Sequence, residues 1–176
     1  MGSSLAGRPG AEEYAPFYQG YIDRVPGDDP VIPLGAQATT AIKFLRNVPE
    51  EKREYAYAPG KWTTRQVVSH LIDSELVFSY RALRISRRDP QPLAGFDEKA
   101  YVEYAELGDR PYGSLVEELE LLRRANVARF SHLSPPSWTR LGEANGHRVS
   151  VRALAFIMAG HLEHHLEILR QRYGIS

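Results

Sequence analysis

The chain of 176 residues contains no cysteine. Disulfides, zinc–thiolate clusters and thiol nucleophiles are therefore excluded, and any metal must be held by histidine or carboxylate. An excess of one charge is also missing. Lys and Arg total 22, as do Asp and Glu, so the formal net charge is zero. A general nucleic-acid binder would show a basic surplus, so no nucleic-acid partner is expected. No apolar run approaches the roughly 20 residues of a membrane span. The opening "MGSSLAGRPGAEEY" lacks the apolar stretch of a signal peptide, and the expectation is a soluble, cytoplasmic protein with no membrane partner. Histidine is scarce, at six residues. Yet His161, His164 and His165 crowd into one stretch, "AGHLEHHLEILRQRY".

The length suits one compact domain. Residues 1–15 are small and polar and read as a loose arm, with 16–176 as the single domain. Four longer segments carry helical signals. The first spans about Leu34 to Asn47, bounded by Pro33 and Pro49. The second follows "PGKW": Thr63 and Gln66 make a capping-box pattern, and the helix runs to about Arg88 before Asp89-Pro90. Ser114 and Glu117 open the third in the same pattern, and it ends before Pro135-Pro136. Ser150 is the N-cap of the fourth, which runs to Tyr173 with Gly174 as its stop.

Four such helices with little strand signal point to an all-α fold, a four-helix bundle. The long link "DPQPLAGFDEKAYVEYAELGDRPYG", with a short helix expected from Asp97 to Glu106, can cross the bundle from end to end. Helices two and three therefore need not be antiparallel. Asn145-Gly146 predicts a tight turn, and so a small hairpin leading into Ser150.

Placing the fourth helix on a wheel of about 100° per residue, with His161 at zero, puts Val151, Met158, Leu162 and Leu169 at roughly +60° to +100°. His165 falls at about +40°, inside the apolar arc, while His164 falls at about −60°. His161 and His165 thus share an inward face, and His164 reads as a surface or outer-sphere residue. Two imidazoles one turn apart can converge on one ion at about 2.1 Å. His70, at the edge of the second helix's apolar arc, can complete a three-histidine site. A neutral pair hydrogen-bonded to carboxylates would use the same spacing without any metal. The zincin motif is absent, because Leu162 stands where that motif needs glutamate.

The segments "PGKW…HLIDSE…YRALRI" and "ANG…VSVRALA…AGHLEHHLEILRQRY" resemble the DinB/YfiT-like superfamily of metal-dependent enzymes. The resemblance extends in layout from about Tyr18 to Tyr173. It implies a four-helix bundle with an up-down-down-up course. It also implies a metal triad of one histidine from the second helix and His-x-x-x-His from the fourth, here His70, His161 and His165. Some members are hydrolase-like, others are transferases or isomerases using low-molecular-weight thiols, and many pair as homodimers.

Three neutral imidazoles leave Zn²⁺ one open position and Ni²⁺ more, enough to activate water or a thiol on a small-molecule substrate. Asp73 and Glu75 are candidates for orienting a ligand or acting as base. The competing reading for Glu75 is a buried ion pair with Arg81 or Arg84. Arg81 could bind an anionic substrate, or with Arg84 tie helices together. Trp62 and Tyr80 could line a pocket, though aromatic residues there also serve a core. The acidic run "EELE" reads as a solvated face.

Overall fold

The computed structural model describes residues 6–176. Four long helices make its body: α1 Val31–Arg46, α2 Thr64–Ser86, α3 Tyr112–Phe130 and α4 Val151–Tyr173. Their ends follow local chemistry. Thr63 Oγ1 accepts from Gln66 N at 3.2 Å while Thr63 N donates to Gln66 Oε1 at 2.8 Å, so the expected capping box opens α2. Ser150 Oγ accepts from Ala153 N at 3.0 Å to open α4, and Gly174 closes it at φ 63°. Strands β1 (Leu141–Ala144) and β2 (His147–Ser150) pair antiparallel around Asn145 and Gly146, at φ 54° and 72°. Both positive angles belong to the tight hairpin turn that an Asn-Gly pair favours.

Two boundaries differ from expectation. Helix α1 begins at Val31 rather than Leu34, with Pro33 inside its first turn. A missing N–H there removes no intrahelical bond. Helix α3 begins at Tyr112, with Pro111 as N-cap, so the Ser114–Glu117 capping box does not form. Ser114 Oγ instead accepts from Arg110 Nε at 3.0 Å. Tyr112 anchors the earlier start by donating its hydroxyl to Leu45 O at 3.2 Å.

Residues 1–5 of the expected arm lie outside the described residues. Residues 6–15 pack on the bundle. Ala6, Tyr14 and Ala15 are buried. Arg8 donates to the carbonyls of Ile22 and Val25, both at 2.8 Å, and Arg152 Nε donates to Glu13 at 2.8 Å. A short helix, Gln19–Ile22, then lies against α4. The fit is tight enough to require glycine: a Cβ on Gly160 would meet the Tyr21 carbonyl oxygen at 1.9 Å.

The link after α2 is pinned rather than loose. Leu93 N donates to Glu143 O and Asn145 N to Leu93 O, each at 2.9 Å. A short helix, Glu98–Tyr104, capped by Asp97, follows and packs on α2.

The bundle core forms two apolar clusters. One contains Phe78, Phe130, Trp138 and the first half of α4, and the other Leu45, Leu71, Leu119 and the second half of α4. Between them lies a buried polar seam. Arg123 of α3, 1% exposed, pairs with Glu75 of α2 at 2.8 Å, and Asn126 Nδ2 donates to the same carboxylate at 2.8 Å. Arg123 also donates to Gln37 of α1 at 3.1 Å and to Met158 O of α4 at 3.4 Å, while Gln37 Nε2 donates to Ala159 O at 2.9 Å. All four helices meet in this one network.

Removing one member of a buried pair strands the other charge. Arg123→Met should cost about 3–5 kcal/mol in urea denaturation. The double variant Glu75→Leu/Arg123→Met should recover most of that loss. A double variant as unstable as the single one would show that the pair is not what the network depends on.

Candidate metal centre

Helices α2 and α4 pack side by side, and their facing turns bring His70, His161 and His165 together. One ring nitrogen from each lies within 4.8 Å of the others. The Nε2 atoms of His70 and His161 are 3.0 Å apart. Nitrogens sharing one tetrahedral ion at about 2.1 Å would sit about 3.4 Å apart, so the cluster has the dimensions of a ligand set.

The electrostatics suit ligands as well. Burial lowers the His70 pKa to about 4, and the neighbouring Glu98 carboxylate only partly offsets this. Burial, then the neighbouring His70 and His164, lowers His165 to about 3. His161 is held well below the ordinary range by burial, then by the other three histidines and Arg123. All three are therefore neutral at pH 7, the state that coordinates a metal. His70 Nδ1 is buried with no hydrogen-bond partner among the described residues, so no carboxylate orients that ring.

The cluster opens into a cavity of about 410 Å³, lined also by Phe17, Tyr18, Tyr21, Trp62, Ser74, Phe78, Arg81, Phe96, Glu98, Asn145 and His164. The Trp62 ring lies 4.9 Å from His70, and Phe78 meets His161 edge-on at 5.8 Å. A second cavity, of about 660 Å³, shares Trp62 and His165 with the first.

Of the residues singled out from the sequence, Trp62 and Arg81 are on the cavity wall and Tyr80 is not. Tyr80 is exposed, with Arg84 donating to its hydroxyl. Glu75 is buried as an ion pair, but its partner is Arg123 of α3 rather than Arg81 or Arg84. Asp73 lies off the cavity, its pKa raised by burial and by the negative charge of Glu118. His164 lines the cavity, half-buried, outside the three-nitrogen cluster. The wall residues that sequence reasoning missed come largely from loops and short helices: Phe17, Tyr18 and Tyr21 before α1, Phe96 and Glu98 in the link, and Asn145 in the hairpin turn. One signal pointed to the first group, since a glycine at 160 inside a helix marks a close backbone approach.

Comparison with known proteins bears on the same residues. Residues 34–169 match the family model of the DinB superfamily. The chain belongs to the DinB superfamily. A relative from Oceanobacillus iheyensis, named "Putative metal-dependent hydrolase OB0782", is 31% identical over 120 residues, covering 66% of this chain and 67% of its own. YfiT from Bacillus subtilis, described as a probable metal-dependent hydrolase with an unusual four-helix bundle topology, superposes with a TM-score of 0.70. That match covers 98% of this chain and 99% of YfiT at 20% identity, and it shows a shared fold. The DinB bundle expected from the sequence is thus present, with the three histidines at its α2–α4 seam. Among the described residues no helix is long and apolar enough to cross a membrane.

The buried histidines make acid sensitivity a property of the metal-stripped protein. The unfolded chain takes up protons on these rings from about pH 6.5 downward, whereas folded His70 does so only near pH 4. Stability should therefore be full above pH 6.5 and fall as pH drops toward 4, by about 3 kcal/mol from His70 alone. Denaturation midpoints across that window, compared with a His70→Gln variant of shallower slope, measure it. Equal slopes would remove His70 as the cause.

Proposed function

We propose that this DinB-superfamily protein is a metal-dependent hydrolase of a small molecule, with His70, His161 and His165 holding one divalent transition metal, zinc or nickel. One observation carries the reading: three buried, neutral imidazoles converge at the floor of an open cavity large enough for a substrate. The descriptions of the Oceanobacillus protein and of YfiT as metal-dependent hydrolases support it. A metal held there supplies a Lewis acid that activates water at neutral pH.

The chain's own residues do the rest. Trp62 and Phe78 wall the histidines with apolar surface. Asp73 and Glu75, candidates for base on sequence grounds, lie off the cavity, which leaves Glu98 and His164 as the titratable wall groups able to take a proton. The pairings also support an up-down-down-up course. Late α1 meets early α3 through Leu45 and Tyr112. Helices α2 and α3 advance together, from Glu75 with Arg123 to Ser79 with Asn126. Helices α2 and α4 run opposite, with His70 beside His165 and Phe78 beside His161. The long link then returns the chain along the bundle to begin α3.

Metal analysis by mass spectrometry on the untagged wild type and on His165→Ala tests the proposal. We expect a near-stoichiometric metal in the wild type. The variant should lose more than the about 10–100-fold in affinity typical of outer-sphere changes, since a ligand itself is removed. No metal in either protein, even after loading with Zn²⁺ or Ni²⁺, would overturn the reading. The chain has no thiol of its own. A turnover that requires added low-molecular-weight thiol would therefore replace hydrolysis with thiol transfer.

A further inference from the structure

Arg81 lies on the wall of the histidine cavity and is 3% exposed. The other deeply buried bundle arginine, Arg123, has Glu75 as counter-ion. Arg81 has none: among the described residues no carboxylate forms an ion pair with it. Its partners are neutral. It donates to Ala94 O at 2.8 Å and sits over the Phe96 ring at 5.9 Å, with the Tyr18 phenol on the same wall. A guanidinium has five N–H donors, so these contacts leave part of the fork unused. A buried charge without a counter-ion is costly, and a ligand's charge would relieve that cost.

A second orphan lies on the same wall. Ser74, 1% exposed, has a hydroxyl with no hydrogen-bond partner among the described residues. His70, Ser74, Phe78 and Arg81 follow one another at helical spacing along one face of α2. Over that stretch the helix rises about 16 Å, so Arg81 lies about three turns from His70 and its neighbour His165.

We propose that Arg81 binds the carboxylate of a small monoanionic substrate with an aromatic or apolar body, and that Ser74 hydrogen-bonds the middle of that molecule. A planar carboxylate matches the open side of the fork, and Phe78, Phe96 and Tyr18 offer ring surface to the body. A single negative charge is specified because Glu98, exposed on the same wall, repels a second one. The placement of the reacting bond at the histidine end rests on the hydrolase reading, while the carboxylate subsite does not.

Isothermal titration of the full-length protein with benzoate and with its neutral analogue benzamide tests the subsite. Benzoate should bind at least about 10-fold tighter than benzamide, as a charge-assisted pair requires. Arg81→Gln should lose that preference, and Arg84→Gln, altered outside the cavity, should keep it. His165→Ala should keep it too, because His165 sits beside His70, about three turns from Arg81. Equal binding of the two compounds to the wild type overturns the proposal. So does a preference that survives Arg81→Gln or vanishes in His165→Ala. If Arg81→Gln does not fold, the Arg81 Nε–H resonance of the wild type decides: it should shift on adding benzoate, and an unmoved resonance overturns the assignment. Failure of the metal analysis with the benzoate preference intact would remove the hydrolase reading and leave the subsite standing.

Discussion

The Glu75–Arg123 pair is the constraint on which the rest of the structure turns. A guanidinium sealed at 1% exposure tolerates few arrangements. It needs the Glu75 carboxylate from α2, the Gln37 amide from α1 and the Met158 carbonyl from α4 at once. Each demand fixes the rotation of one helix about its axis. Apolar packing alone specifies rotation less sharply, because aliphatic side chains accept many neighbours. The carbonyls of Met158 and Ala159 are both engaged, and His161 lies two residues beyond Ala159. The network therefore sets which way the histidine turn of α4 faces. Its positive charge also adds to burial in keeping His161 neutral.

The parts of this arrangement that were legible in the sequence depend on local chemistry or on helical period. Thr63 with Gln66, Ser150, Asn145-Gly146 and Gly174 each act through a backbone bond or angle within a few residues, and all four appear as expected. The meeting of His70, His161 and His165 could be read because the period of α4 separates them from His164. Pairing across helices could not. The spacing of Glu75 shows that it is buried, but several arginines could answer it, and only the packing of α3 selects Arg123. Ser114 failed as a cap for a similar reason: the Tyr112–Leu45 bond between two helices pulls the start of α3 back to Pro111.

The N-terminal segment shows a different limit. Small and polar composition reads as a loose arm, because it offers little apolar area to bury. Residues 6–15 are held instead by a few specific bonds, those of Arg8 to backbone carbonyls and of Arg152 to Glu13. Those bonds lead the chain into the helix that brings Tyr21 against His161 and His164. Composition is an average, and a segment fixed by a few individual contacts escapes it.

The two buried arginines of α2 and α3, Arg81 and Arg123, have opposite chemistry. Arg123 has its charge matched within the chain, so its position is set and its reactivity is closed. Arg81 is held by neutral groups, so its position is set while its charge stays open toward the cavity. The histidines follow the same division. Desolvation keeps them neutral, and the Nε2 atoms of His70 and His161 face each other rather than a carboxylate. Assembling such unsatisfied groups is unfavourable. It is tolerated here because the burial of the two apolar clusters stabilises the bundle that holds them. The core thus holds rigid the groups that the proposed metal and carboxylate would complete.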